Sequence, residues 1–150
     1  MTYHLPDPVQ PPTAPPVHVA PLYCAADCSG EAGSIADARH CAGTFMDRLA
    51  AALGVPVSDR LRYDVQLVVT ELVTNANRYT HGPCLLELEG AVGSVIITVS
   101  DSSTALPRAF PPDPQRVGGH GIEILQRICQ ELIVERVPVG KRIRAVIAIS

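Results

Sequence analysis

The sequence lacks the features that mark nucleic-acid-binding, membrane-spanning and secreted proteins. Its 150 residues carry a formal net charge of −3, whereas a nucleic-acid-binding domain usually shows a basic face, so no direct contact with nucleic acid is expected. No apolar run reaches the length of a membrane span, and no charged-then-apolar leader opens the chain. We therefore expect a cytoplasmic protein that makes no contact with a membrane.

The number of cysteines does not suit a disulfide framework. The chain has five cysteines, which is an odd number. Since no secretion signal is found, we expect reduced thiols, some of them packed in the core. A metal site can be drawn from four neighbouring residues: Cys24, Cys28, His40 and Cys41. Its C-x3-C spacing is loose and adjacent helical residues diverge by about 100°, so a metal or redox sensor is the least favoured function.

The chain does contain enough apolar sequence for one folded domain. It is 47% hydrophobic and 18% charged, and its length is usual for a single domain. Residues 1–22 hold seven of the fourteen prolines, and such a segment forms neither a helix nor a central strand. We predict a proline-rich flexible tail, with a docking peptide as the less favoured interpretation, followed by a single domain at 23–150.

The hydrophobic pattern beyond the tail predicts an α+β fold. A possible edge strand near 18–24 is followed by a helix that starts at Ser34 and stops at Gly54, and Ser58 opens a second helix over 59–79. The remaining elements are the strands "CLLELEG" and "SVIITVS", a polar loop, the helix "GGHGIEILQRICQEL", and the strands "IVERV" and "IRAVIAIS". Paired strands with helices on one face give a two-layer α/β sandwich.

The second helix places polar side chains along one border of its apolar face. At about 100° per residue, its apolar residues fall in an arc of roughly 140° that we expect to face the sheet. Just outside one edge of this arc lie Asp64, Glu71, Asn75 and Arg78, and Glu71 and Asn75 are one turn apart. Asn77 points elsewhere and is expected in solvent. Taken alone, this helix favours the interpretation of an ordinary polar border, because every amphipathic helix has one.

Two further segments carry residues suited to a ligand. Asp101 ends a strand, where its carboxylate can accept a hydrogen bond from a ligand amine or simply terminate the strand. Gly118, Gly119 and Gly121 precede a helix whose N-terminal amides can hold phosphate, although a hinge would also use glycines. Neither a Walker loop nor a strand-first dinucleotide motif is present. Combined with Asn75, these segments indicate a nucleotide site.

These motifs resemble those of the GHKL ATPase superfamily, which includes gyrase, Hsp90, histidine kinases and MutL. Within it, the chain looks most like the stand-alone anti-sigma-factor serine kinases and their actinobacterial ATP-binding relatives. "ELVTNANRYTHG" resembles the N box, "VSDSS" the first glycine-box position and "GGHGIEIL" the second, and the resemblance covers residues 34–149. It implies a Bergerat-type ATP-binding fold with a mostly antiparallel mixed sheet.

The resemblance also implies roles for individual residues. Asn75 would bind Mg²⁺ beside the ATP phosphates, Glu71 would act as the general base, and Asp101 would bond the adenine amino group. The segment 102–117 would be the ATP lid. The residues expected to bind ATP are Asn75, Arg78, Asp101, Ser103, Gly119, His120, Gly121 and Ile122.

The implied function is an ATP-dependent protein serine kinase that phosphorylates a STAS-type anti-anti-sigma protein and sequesters a sigma factor. A homodimer is a further expectation, because relatives of this kind often dimerise. Two departures from the family pattern favour an alternative, a non-catalytic nucleotide-binding switch. Ser103 stands where the first glycine box has glycine, and Arg142 is read as standing where the last strand has a hydroxyl near adenine.

Overall fold

The computed structural model of the protein describes residues 22–29, 34–54, 56–79, 82–102, 121–138 and 140–149. Its elements in chain order are β1 (Tyr23–Asp27), α1 (Ser34–Leu53), α2 (Asp59–Tyr79), β2 (Cys84–Ala91), β3 (Ser94–Asp101), α3 (Gly121–Ile128), β4 (Glu131–Val137) and β5 (Gly140–Ala148).

The five strands form one sheet in the order β1-β2-β3-β5-β4, and the three helices pack against it. The α+β two-layer sandwich predicted from the sequence is confirmed. Every pairing between the described strands is antiparallel, so the parallel component expected of a mixed sheet is not found among them. None of the helices in the described ranges is long and apolar enough to cross a membrane.

The core lies between the helices and one face of the sheet, as the helical and strand periodicities predict. The apolar arc of α2 is buried, with its members Leu61, Val65, Val68, Val69, Leu72, Val73 and Ala76. The sheet meets it with alternate residues, including Leu86, Leu88, Ile97, Val99, Ile143 and Ala145. Alternation leaves the opposite residues of each strand on the outer face of the sheet.

Several boundaries differ from those predicted. The edge strand begins at Tyr23 rather than near residue 18, and residues 1–21, with most of the predicted tail, lie outside the described part of the chain. The third helix ends at Ile128, because Glu131 and Leu132 already pair with β5. β5 likewise starts at Gly140 instead of 143, which brings Lys141 and Arg142 into the strand.

Serine side chains at the starts of α1 and α2 accept hydrogen bonds from α2. Ser58 caps α2 as predicted, since its Oγ accepts a hydrogen bond of 3.1 Å from the Leu61 amide. Ser34 at the start of α1 accepts a bond of 3.3 Å from Nδ2 of Asn77. The expectation that Asn77 is solvated is therefore wrong. This side chain is partly buried because α1 covers that side of α2.

A disulfide joins Cys28 to Cys84, so the expectation of reduced thiols is wrong for this pair. Antiparallel pairing of β1 with β2 brings the end of one strand to the start of the other, where the Cys28 amide also donates 2.9 Å to the Cys84 carbonyl. Because Cys28 is bonded to another cysteine, it is not available to the metal site drawn from the sequence. No group of three or more His, Cys, Asp or Glu residues in the described ranges is placed to hold a metal.

Candidate functional site

One turn of α2 presents Glu71 and Asn75 together at the edge of the core. Both side chains are partly buried, and their spacing of four residues makes them neighbours on the helix surface. The Oδ1 atom of Asn75 is buried and has no hydrogen-bond partner among the described residues. A buried acceptor left in this state costs about 1–3 kcal/mol. Such atoms in a folded protein therefore point to a missing partner, such as a ligand, ion or water.

The border of α2 that carries these residues faces α3. Burial first, and then the Asp64 carboxylate, raise the pKa of the Cys129 thiol, which directly follows α3, to about 11. α3 packs against α2, and the grouping of Gly121 and Asn75 in one site stays a prediction.

Of the other residues predicted to bind ATP near α2 and α3, the structure describes some and not others. Ile122 is 9% exposed and packs in the core, so little of its side chain is accessible. Arg78 is exposed at the end of α2. The predicted residues Ser103, Gly119 and His120, and the lid that follows Ser102, lie outside the described residues.

Asp101 ends β3 on the face that meets the helices, and it is paired with a lysine. The Nζ atom of Lys141 lies 3.4 Å from Oδ2 of Asp101, and the two side chains are 0% and 1% exposed. The antiparallel register places the two residues directly opposite each other on β5 and β3. A buried charge pair of this kind offers a carboxylate acceptor next to an ammonium donor.

Lys141 is the residue that the sequence interpretation missed, and Arg142 is the one it misplaced. Arg142 lies opposite Ser100 on the outer face of the sheet, where its Nε donates 2.6 Å to Glu135 of β4. Its side chain therefore points away from Asp101, whereas Lys141 lies directly opposite Asp101 in the sheet. The sequence held the signal in the alternation of β5, but only for a strand that begins at Gly140.

Gly140 allows the start of β5 to approach the end of β3. A Cβ atom at this position would lie 1.9 Å from the Asp101 carbonyl oxygen and 2.6 Å from the Cα of Ser102. Real Cβ atoms do not come this close to backbone, so only glycine fits here. The approach fixes where the Asp101 main chain leaves the sheet and enters the segment predicted as the lid.

An open cavity of about 650 Å³ lies at the same end of the sheet. This volume is within the range of roughly 300–1,000 Å³ that is common for small-molecule sites. Its described lining is Asp27, Ser29, Pro83, Cys84, Leu85, Ser100, Asp101 and Ser102. Hydrogen bonds from the Ser29 hydroxyl and amide hold the pKa of Asp27 below its usual value, so one wall of the cavity carries a carboxylate. Cys84, which also lines the cavity, is bonded to Cys28.

Comparison with known protein families agrees with the fold. The profile of the histidine kinase-like ATPase domain family matches residues 35–147, and the chain belongs to that family. No curated protein matches the chain. The GHKL resemblance is thereby confirmed, and membership of an ATPase-domain family implies that the chain binds ATP. The narrower likeness to anti-sigma-factor kinases, and the role of each site residue, stay predictions.

Proposed function

We propose that the protein binds Mg²⁺-ATP at the border of α2 and transfers phosphate to a serine of a STAS-type anti-anti-sigma protein, and that it sequesters a sigma factor. The observation that carries the nucleotide part is the buried Oδ1 of Asn75, which has no partner among the described residues. It lies one turn from Glu71, on a helix that packs against β3, the strand that ends at Asp101. The partners rest on the resemblance of the motifs to those of anti-sigma-factor serine kinases.

The residues present fit a magnesium ion bound mainly by phosphate. Mg²⁺ prefers oxygen ligands and keeps several waters, so one amide oxygen from the protein, that of Asn75, is a suitable contribution. When bound, the ion would neutralise charge on the phosphate oxygens. Glu71 would orient the serine hydroxyl and accept its proton, and the amides at the start of α3 would donate to phosphate oxygens.

Asp101 would receive the adenine amino group. An ionised carboxylate offers about four lone-pair positions, so it can accept hydrogen bonds from more than one donor. The Nζ atom of Lys141 lies 3.4 Å from Oδ2 of this buried carboxylate. We therefore assign Lys141 the role of positioning the Asp101 side chain.

A transfer assay with labelled ATP, Mg²⁺ and candidate STAS proteins tests the kinase. Glu71→Gln keeps the shape of the side chain and removes its basicity, so we expect phosphate transfer to fall about 10²- to 10⁴-fold while ATP still binds. Glu89→Gln, on the outer face of β2, is the matched control and should transfer at the normal rate. Normal transfer by Glu71→Gln would remove the base role. Bound ATP without transfer to any partner would refute the kinase.

The partner and assembly claims need their own measurements. Co-purification from the native host, followed by mixing with each candidate, would show whether a sigma factor binds and whether nucleotide changes that binding. Light scattering of the purified chain tests the proposed homodimer. A single mass of about 16 kDa across the concentration range would contradict dimerisation. The cytoplasmic location and the domain boundary at residue 23 stay predictions.

A second candidate is a nucleotide-binding switch without catalysis, and the ion pair at Asp101 is the observation that favours it. Lys141 already occupies one side of the carboxylate, so the pocket is adapted away from the hydroxyl pattern of its relatives. Nucleotide at 100 times its Kd should stabilise the fold by about 2.7 kcal/mol under either proposal. Stabilisation without phosphate transfer would favour the switch, and no stabilisation by ATP or ADP would refute both.

A further inference from the structure

Two half-buried thiols meet between β1 and α1, away from the residues assigned to the nucleotide. Cys24 lies on the helix-facing side of β1, and Cys41 lies on the face of α1 that packs against the core beside Ala38 and Phe45. Their Sγ atoms are 2.6 Å apart. A disulfide bond is about 2.05 Å long, so a shift of roughly half an ångström separates this contact from a covalent bond.

Neither a hydrogen bond nor a metal site accounts well for the contact between the two sulfurs. A thiol is only a weak donor and a weak acceptor, which gives little reason for such a close approach. A structural zinc site needs four ligands, whereas the nearest further cysteine on β1, Cys28, is bonded to Cys84. His40, which completed the metal site drawn from the sequence, is exposed on α1. The pair is therefore placed for bonding between the two sulfurs.

We infer that Cys24 and Cys41 form a redox-active dithiol that a small-molecule disulfide, such as glutathione disulfide, converts into a second intramolecular disulfide. The Cys24 thiolate attacks one glutathione sulfur and releases the first glutathione thiolate. Cys41 then loses its proton and displaces the second glutathione from Cys24, which forms the bond between the two protein sulfurs. The protein gives up two electrons and two protons, and glutathione disulfide is reduced to two glutathione thiols.

The order of attack follows from the environment of Cys41. Burial first, and then the hydrogen bond and charge of Cys24, raise the pKa of the Cys41 thiol to about 12. The thiolate is the nucleophile in this chemistry, so Cys41 is a poor first attacker at neutral pH and acts in the second step. The overall exchange should therefore accelerate as the pH rises.

The new bond would fix β1 to both layers of the domain. β1 is a five-residue strand at the edge of the described sheet, and it pairs with β2 alone. Its C-terminal end is already attached to β2 through Cys28, and a bond from Cys24 would attach its N-terminal end to α1. Asp27 and Ser29, which line the cavity, follow directly. Oxidation would thus immobilise one wall of that cavity without any nucleotide.

The test equilibrates the full chain with glutathione disulfide, then alkylates the remaining thiols and maps the unreduced peptides by mass spectrometry. We expect a peptide linked through Cys24 and Cys41 and a midpoint of thermal unfolding higher by on the order of 10 °C, from closing a loop of this size. Cys24→Ser and Cys41→Ser should each abolish both results. Cys129→Ser is the control, because this half-buried free thiol follows α3 and its replacement should leave both results unchanged.

Two outcomes would overturn the inference. Full alkylation of Cys24 and Cys41 after the equilibration would show that the sulfurs do not bond. A linked peptide with an unchanged midpoint would show that the bond does not fix β1. Neither result depends on nucleotide binding, so the inference and the proposed function fail or survive separately.

Discussion

The buried ion pair between Lys141 and Asp101 should contribute more to the free energy of unfolding than the exposed charges of β5. Lys141→Met keeps the length of the side chain but removes its charge, and it leaves the Asp101 carboxylate, 1% exposed, without its cation. Removing one partner of a buried pair costs about 3–5 kcal/mol, because the remaining charge is uncompensated. Since domains are stable by only about 5–15 kcal/mol, we expect a large fall in the free energy of unfolding.

The next residue of the same strand supplies a matched control. Arg142 also pairs with a carboxylate, that of Glu135, but their side chains are 41% and 32% exposed. Exposed pairs contribute at most about 1 kcal/mol, so Arg142→Met should be nearly neutral. Substituting Asp101→Asn together with Lys141→Met removes both charges and should recover part of the loss.

Equilibrium unfolding in urea, followed by circular dichroism, measures all four proteins. The reasoning requires Lys141→Met to unfold at a much lower midpoint than Arg142→Met, with the double variant between Lys141→Met and the unmodified chain. Equal losses for the two methionine variants would show that burial of the pair has no energetic consequence. A double variant no more stable than Lys141→Met would show that the orphaned charge is not the cause.

Three further predictions concern α2 and Cys129. Without nucleotide, Asn75→Ala should not lower the free energy of unfolding, because it removes a buried acceptor that has no described partner. The same variant should abolish the thermal shift caused by Mg²⁺-ATP. An intact shift would show that Asn75 does not bind the metal. Asn77→Ala should lower the free energy of unfolding by about 1 kcal/mol, because the hydrogen bond to Ser34 is lost. Arg78→Ala, at the neighbouring exposed position, should leave the free energy of unfolding almost unchanged in the same urea titration. Equal losses for the two variants would contradict the contact. The folded state raises the pKa of Cys129 from 9.0 to about 11, so it favours the protonated thiol; this stabilisation is complete below pH 9 and is lost as the pH rises toward 11. Unfolding titrations should show that decline, and Cys129→Ser should reduce it; an identical pH dependence would rule out this thiol as a source.

The parts of the fold that depend on local periodicity could be predicted from the sequence. The apolar arc of α2 and the cap at Ser58 both follow from spacings within one helix, and both are confirmed. Asn77 was misread because a helical wheel gives the direction of a side chain but not the presence of α1 on that side. The order of the nucleotide motifs identified the family, since that order is a property of the sequence itself.

The features that were missed depend on contacts between distant segments. Cys28 and Cys84 are separated by 56 positions, and only the pairing of β1 with β2 brings their sulfurs together. Arg142 was chosen from a resemblance to the family pattern of the last strand, whereas the register of β5 with β3 shows that Lys141 is the residue opposite Asp101. The pattern of residue types was sufficient to propose a site beside Asp101 but not to determine which side chain of β5 completes it.

The close approach of Gly140 to Asp101 has a consequence for how this corner of the protein can diverge. Position 140 has no alternative residue, because a Cβ would meet the Asp101 carbonyl at 1.9 Å, and positions 101 and 141 are linked by charge. Among relatives with this pair, a lysine at 141 should occur together with an acidic residue at 101, and loss of one should accompany change of the other. Arg142, on the outer face, should vary independently of both. An alignment of relatives would therefore record the geometry of β3 and β5 as one fixed position and one covarying pair.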